Sequence, residues 1–372
     1  MVEQETEKRK KSDISDDDRE SIFALAKELT NFCCPTGFED RIRRYLVDRF
    51  KDKCAVETDS IGNVIVTVQG TAAESRRRLL LTAHMDEIGF MISYITKDGF
   101  LRVAPLGSQD NRILPGQRVT AFSDKGEFHG VIAEKPIHLQ DDDERKKLVK
   151  DEDIFIDVGA SSKEEVNEYL SIGDYLTFQR QCEWLGRGSL FSCKSGDDRM
   201  GVLVLILVLE HLIQEPPTWD IIGVFSTQEE AGVRGITISA YNVKPDAAIV
   251  LETGHAIDYP GISKDKFGDI ELGNGPAISV GPNLHPRLTK FIINTAQAQE
   301  IPYQVKVDSG VTSTDARQVQ ITRKGVATGL IRVPLRYMHT NVEVVSPADV
   351  QQAALLLEKI VDTLPIDFPL DL

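Results

Sequence analysis

The sequence predicts an α/β fold: a mixed, largely parallel sheet sandwiched by helices, interrupted by a small inserted β-barrel-like domain. Three observations lead to it. Helix-period and strand-like apolar runs alternate through the second half of the 372 residues. The same texture opens the chain. From about Met91 to Trp184 it gives way to short strand-like runs separated by glycine-bearing turns. A chain of this length favours two domains, and 41% hydrophobic with 27% charged residues is the composition of an ordinary soluble protein.

Residues 1–18 carry Lys8, Arg9, Lys10, Lys11 and Asp16 to Asp18 and lack the apolar core of a secretory signal. They read as a disordered, charged tail. Ile22, Phe23, Leu25, Ala26 and Leu29 then recur at helical spacing until Cys34-Pro35-Thr36-Gly37 breaks the pattern, and Ile42, Tyr45, Leu46 and Phe50 mark a second helix. Val64 to Val68 and Leu79 to Thr82 read as strands. In the insert, assigned to 91–184, the runs Phe100 to Val103, Gln117 to Phe122 and Gly130 to Ala133 read as strands. A charged loop, Asp141 to Lys147, and a short helix around Lys163 to Tyr169 accompany them. Residues 19–90 and 185–372 then form one larger α/β domain.

Beyond Arg199 the predicted order is helix (Met200 to Ile213), strand (Ile221 to Ser226), helix (Gly232 to Tyr241), strand (Ala247 to Glu252), helix (Pro286 to Glu300) and strand (Tyr303 to Val307). A helix near Ala316 and a strand from Ala327 to Val333 follow. Ser346 is read as the cap of a last helix through Leu364, with Asp349 as an acid in its first turn. Such alternation calls for a sheet covered on both faces.

Charge and composition narrow the function. The net charge of −15 repels a phosphate backbone or an anionic membrane, so nucleic acid and membrane are excluded as partners. The longest apolar stretch, Met200 to Leu209, is half the roughly 20 residues of a membrane span. Five cysteines, odd in number and without a Cys-x-x-Cys spacing, fit a reduced cytoplasm.

In sheets of this kind ligands bind beyond the carboxyl ends of the strands, and four predicted strands end on metal-competent residues. Leu79 to Ala83 runs into His84-Met85-Asp86-Glu87, and Ile221 to Ser226 into Thr227-Gln228-Glu229-Glu230. Ala247 to Leu251 runs into Glu252, and Ile331 to Leu335 into Arg336-Tyr337-Met338-His339. Asp197-Asp198 precedes the buried helix. Each alone has a plain structural reading as a cap or a core side chain. Together, two histidines and several carboxylates on one rim suit a pair of divalent cations, and the nitrogen and oxygen mixture favours zinc, cobalt or manganese over magnesium or calcium. In His84-x-Asp86 the acid can fix the tautomer of the ring. In Glu229-Glu230 one carboxylate can ligate while its neighbour stays free to accept a proton.

The chain resembles the dinuclear-metal aminopeptidases of the tetrahedral, glutamyl and deblocking type, some of whose members have carried an endoglucanase label. The resemblance runs from Phe23 to Leu364 through His84-Met85-Asp86-Glu87-Ile88-Gly89, Gly116-Gln117-Arg118-Val119, Phe155-Ile156-Asp157-Val158-Gly159, Asp197-Asp198-Arg199-Met200-Gly201, Glu229-Glu230-Ala231-Gly232-Val233-Arg234-Gly235 and Arg336-Tyr337-Met338-His339. It implies a zinc-peptidase-like fold in which Asp197 bridges two metals, His84 and Glu252 complete one site, and Glu230 and His339 complete the other. It further implies Glu229 as general base, Asp86 behind His84, and peptide substrates whose free α-amine is held at the metals. The inserted domain would build dimers that assemble into a dodecamer.

The chain departs from the family pattern in four places. Glu252 stands where Asp is common, Gly196 where an aliphatic is usual, Thr312-Ser313 in place of a Gly pair, and Thr340-Asn341 in place of Ser-Pro. Among the remaining histidines only His255 is read as an active-site neighbour; His129, His138, His211 and His285 are read as structural. Thr314 and Asp315 are substrate contacts by resemblance and a helix start by default. The competing readings are a deacylase or carboxypeptidase with the same metal core, a glycoside hydrolase using paired acids, and a catalytically degenerate scaffold.

Overall fold

The computed structural model describes residues 14–72 and 76–372, so most of the segment read as a tail, 1–13, lies outside the described residues. Its end is not tail. The first helix, Asp16–Thr30, begins on the acids assigned to it, because the Ser15 hydroxyl accepts a hydrogen bond from the Asp18 amide and three carboxylates face the positive end of the helix.

Leu79 and Leu81 point into one apolar layer and Leu80 into another, the period of two expected of a strand buried on both faces. That alternation places the strand Arg78–His84 at the middle of an eleven-stranded mixed sheet. Four central strands run parallel in the order Asp220–Ser226, Arg78–His84, Ala247–His255, Ala327–Arg336. Antiparallel strands flank them, Val64–Val68 on one side and Ala277–Val280 and Glu343–Val345 on the other. The helix Gly196–Gln214 is apolar around its circumference and is buried along most of its length between the sheet and the helices Asp16–Thr30 and Pro347–Thr363. Arg234–Val243 and Ala316–Ile321 cover the opposite face. Among the described residues no helix is long and apolar enough to cross a membrane.

Six strands close into a barrel in the order Gly89–Ile95, Leu101–Leu106, Phe155–Asp157, Gly126–Ala133, Arg118–Ser123, Tyr175–Phe178. It has its own core, centred on Phe90, Ile92, Leu101, Val119, Ile156 and Leu176. The barrel strands therefore span 89–178 rather than 91–184. Cys182–Leu185 belongs to the large sheet, where it pairs with Leu190–Cys193, and Trp184 stacks on Phe23 at 4.2 Å. Several strands that pattern reading passes over, among them Ala55–Thr58, Leu190–Cys193, Ala277–Val280 and Glu343–Val345, have only three or four residues, too few to display a period.

The last helix, Pro347–Thr363, departs from expectation at its start. Ser346 holds the cap position but its side chain makes no capping bond, and Asp349 accepts from the amides of Gly273 and Gly275 at 2.7 and 2.8 Å. Burial outweighs those two amides and pushes the Asp349 carboxyl up to about 8. The folded chain then holds a proton that the unfolded chain has released, so this group's contribution falls as pH rises between the ordinary value of 3.8 and about 8. Asp349→Asn is expected to flatten that part of the stability profile in chemical denaturation at a series of pH values.

Candidate active site

The carboxyl ends of the four parallel strands open on one rim, and His84 lies in register with Ser226 there. His84 Nε2 is 3.3 Å from Asp197 Oδ1 and 3.4 Å from Glu252 Oε1, while its Nδ1 faces Asp86 Oδ1 at 3.4 Å. Asp86 also accepts from the amides of Glu229 and Glu230 at 3.0 and 3.1 Å, so one buried carboxylate orients the ring and the acidic pair at once. The loop after that pair returns tightly. At Gly235 any Cβ would sit 2.2 Å from the Thr227 carbonyl oxygen, which is why the motif ends in glycine.

Asp197 enters from the start of the buried helix, and its second oxygen, Oδ2, is 3.4 Å from His339 Nε2; His339 Nε2 is in turn 3.2 Å from Glu230 Oε1. His84, Asp197 and Glu252 form one group that could hold a metal ion, and Asp197, Glu230 and His339 form another, each with its donor atoms within 4.8 Å of one another. Each oxygen of Asp197 faces a different group.

Electrostatics show what such a cluster calls for. Burial opposes charging His84, yet Glu252, Asp197 and Asp86 outweigh it and hold its pKa well above the ordinary value. His339 is carried to about 11 by Asp197 and Glu230 against the same penalty. Burial pushes Glu252 up to about 7 and Glu229 up to about 10, although the His84 charge pulls both down. Carboxylates outnumber the positive groups within a buried space. Nitrogen and oxygen donors in this arrangement suit divalent cations of the zinc, cobalt or manganese kind, so the residues present fit a metal pair.

Several supporting residues were missed in the sequence. Buried Glu343 accepts from the amides of His339 and Asp197 at 2.8 and 3.1 Å, and the Thr253 hydroxyl donates to Asp197 Oδ1 at 2.9 Å. An acid inside the apolar run Val342 to Val345 is the hint that could have marked Glu343. Behind Asp197, buried Lys194 lies 2.5 Å from Glu87, which also accepts from the Cys34 amide and from the Ser195 hydroxyl. Lys194→Met would leave the Glu87 charge buried with Arg199, 3.9 Å away, as its nearest cation. The expected loss is about 3–5 kcal/mol of unfolding free energy, read by denaturant titration.

A cavity of about 740 Å³ opens over the two groups, with Glu229, His255 and Thr314 on its wall. Asp315 is not on that wall: at the cap of the short helix Ala316–Ile321 it is buried, accepting from Ser226 at 2.6 Å and Thr82 at 3.4 Å. His129, His138, His211 and His285 also lie off the cavity, and His285 accepts from the Leu288 amide at a helix start.

Comparison with known proteins agrees with this geometry. Residues 62–356 match the family described as M42 glutamyl aminopeptidase. A lysyl aminopeptidase of Pyrococcus furiosus is 37% identical over 93% of this chain and 99% of its own length. The structure of an aminopeptidase from the archaeon Desulfurococcus kamchatkensis superposes with a TM-score of 0.87 at 37% identity, covering 94% of this chain and 96% of that one. A Pyrococcus horikoshii TET peptidase, which can assemble into a tetrahedron or a large octahedral shell, superposes at 0.82 with 31% identity over 92% of this chain and all of its own. With the family model matched over residues 62–356 and both sequence and fold similar along nearly the whole length, the chain belongs to the M42 aminopeptidase family.

Proposed function

We propose that this chain is a two-metal aminopeptidase that removes residues from the N-termini of peptides. The observation that carries the reading is the Asp197 carboxylate, whose two oxygens each serve a separate donor group while Glu229 stands free beside them. Bound cations would polarise the scissile carbonyl, acidify the attacking water and bind the substrate's free α-amine. His84 and Glu252 would hold one, His339 and Glu230 the other, and Asp197 both. Glu229 takes the proton from the attacking water and hands it to the departing amine. Positive charge in the neighbouring groups lowers the cost of ionising Glu229, which burial and the nearby Glu252, Asp315 and Asp86 carboxylates keep protonated. Asp86 keeps the His84 ring and the Glu229-Glu230 backbone in register for these transfers.

The reading extends to assembly and setting. The barrel, with Val131, Ile137, Leu139 and Leu148 exposed on its strand Gly126–Ala133 and on the loop between that strand and Phe155–Asp157, would join copies into dimers and these into a dodecamer; the shell-forming TET relative supports this. Five unpaired cysteines are in keeping with a reducing, cytoplasmic setting. The test is a set of peptides with free and N-acetylated termini, assayed after chelation and after readdition of zinc, cobalt or manganese. Release of N-terminal residues from free peptides alone, only with metal present, is expected. Cleavage of acetylated peptides would favour a deacylase or carboxypeptidase, and metal-independent release of sugar from a glucan a glycoside hydrolase.

A further inference from the structure

The strand Asp220–Ser226 ends at the rim, and the next four backbone amides, Thr227 to Glu230, have no ladder partner. All four donate instead to buried side chains from three separate parts of the fold. Asn63 accepts from Thr227 at 2.9 Å, Glu39 from Gln228 at 3.1 Å, and Asp86 from Glu229 and Glu230 at 3.0 and 3.1 Å. Asn63 also donates to the Gly235 carbonyl at 2.9 Å and so ties the two ends of the loop together.

Glu39 is the least expected of the three. It stands at the cap position of the helix Asp40–Phe50, where an acid favours the positive end of its own helix, yet its side chain makes no capping bond. Its Oε1 accepts from the Gly37 amide at 2.8 Å and from Gln228, 189 positions away. Gln228 has a φ of +55°, in the left-handed region that residues other than glycine occupy at a cost. The two acids that follow it are used differently: Glu230 faces His339 at 3.2 Å, while Glu229 stands on the cavity wall.

Resting on the proposed aminopeptidase reading, we infer that Glu39 is a positioning residue for the general base: by accepting from the Gln228 amide it holds the left-handed turn that aims the Glu229 carboxylate at the attacking water. The bond fixes the residue immediately before the base, and a misplacement of about 1 Å at a reacting group costs up to about a hundredfold in rate. Burial and the Asp86 charge push the Glu39 pKa up, so an uncharged acceptor also suits the position.

The test sets Glu39→Gln, which keeps a carbonyl acceptor, beside Glu39→Met, which keeps the bulk and loses the acceptor, each alone and combined with Glu229→Gln. Turnover of a panel of aminoacyl p-nitroanilides by the metal-loaded enzyme is read beside metal content and thermal unfolding. Hydrogen exchange of amides 227–230 in chelated protein reads the turn independently of activity. Glu39→Met is expected to lower kcat about 10- to 100-fold at unchanged metal content, to change KM little, and to speed exchange of those amides. Glu39→Gln is expected to restore most of the turnover and of the protection. In the Glu229→Gln background Glu39→Met is expected to add almost nothing, because the base through which it acts is already gone. Glu39→Asp, which withdraws the acceptor by one methylene at unchanged charge, takes the place of Glu39→Met if that variant does not fold. Equal losses from Glu39→Gln and Glu39→Met, a full further loss in the Glu229→Gln background, a loss traced to metal content, or exchange left unmoved would each overturn the inference. Absence of hydrolysis by the unaltered enzyme, with exchange that still answers to Glu39→Met, would instead sink the aminopeptidase reading and leave Glu39 as the holder of the turn.

Discussion

Glu229→Gln is expected to lower kcat by about 10²- to 10⁴-fold while leaving KM, metal content and thermal stability close to those of the unaltered enzyme. Among the described residues the Glu229 carboxylate takes no hydrogen bond; its backbone is engaged, the amide donating to Asp86 and the carbonyl accepting from Gly232 and Val233. Burial, with the nearby Glu252, Asp315 and Asp86 carboxylates, holds the carboxyl protonated, at about 10, so the neutral amide of Gln matches the form the metal-free protein already has. What Gln cannot do is accept a proton from water and return it to the leaving amine. Loss confined to kcat, read by steady-state kinetics beside a metal assay, separates this role from ligation. Glu230→Gln should differ by losing metal as well, because Glu230 lies 3.2 Å from His339 within one donor group.

Removing metal should abolish turnover and also lower the melting temperature. Without cations the cluster holds Asp197, Glu230 and Glu252 around two histidines, and the raised pKa of Glu252 records the mutual repulsion and burial. A ligand that binds only the folded chain stabilises it by an amount that grows with concentration, about 4 kcal/mol at a thousand times its dissociation constant. Chelation followed by graded readdition should therefore raise activity and melting temperature together. Below neutral pH the two should fall together too, since protonated histidines and carboxylates cannot ligate.

Much of this was legible from residues alone. The alternating runs locate the central strands to within a few residues, because a strand buried on both faces leaves a continuous aliphatic signature such as Leu79 to Leu81. The strand ends then point to the rim where His84, Glu229, Glu230, Glu252 and His339 lie. Supporting contacts were not legible: Glu343 reaches Asp197 across 146 positions, and Lys194 reaches Glu87 across 107. No local pattern encodes a contact at such separation. Asp315 shows the converse limit, since its place beside Thr314 suggests the cavity while its side chain accepts from Ser226 instead. The start of the first helix was hidden for another reason: three consecutive acids resemble solvated tail and helix N-terminus equally, and only Ser15 ahead of them decides.

Whether two cations share Asp197 is decided most directly by a crystal structure of zinc-soaked protein, with anomalous difference maps recorded on either side of the zinc edge. The account predicts two peaks per chain, one on each side of the Asp197 carboxylate, one contacted by His84 and Glu252 and the other by Glu230 and His339. A single peak, or none at Asp197, would contradict it.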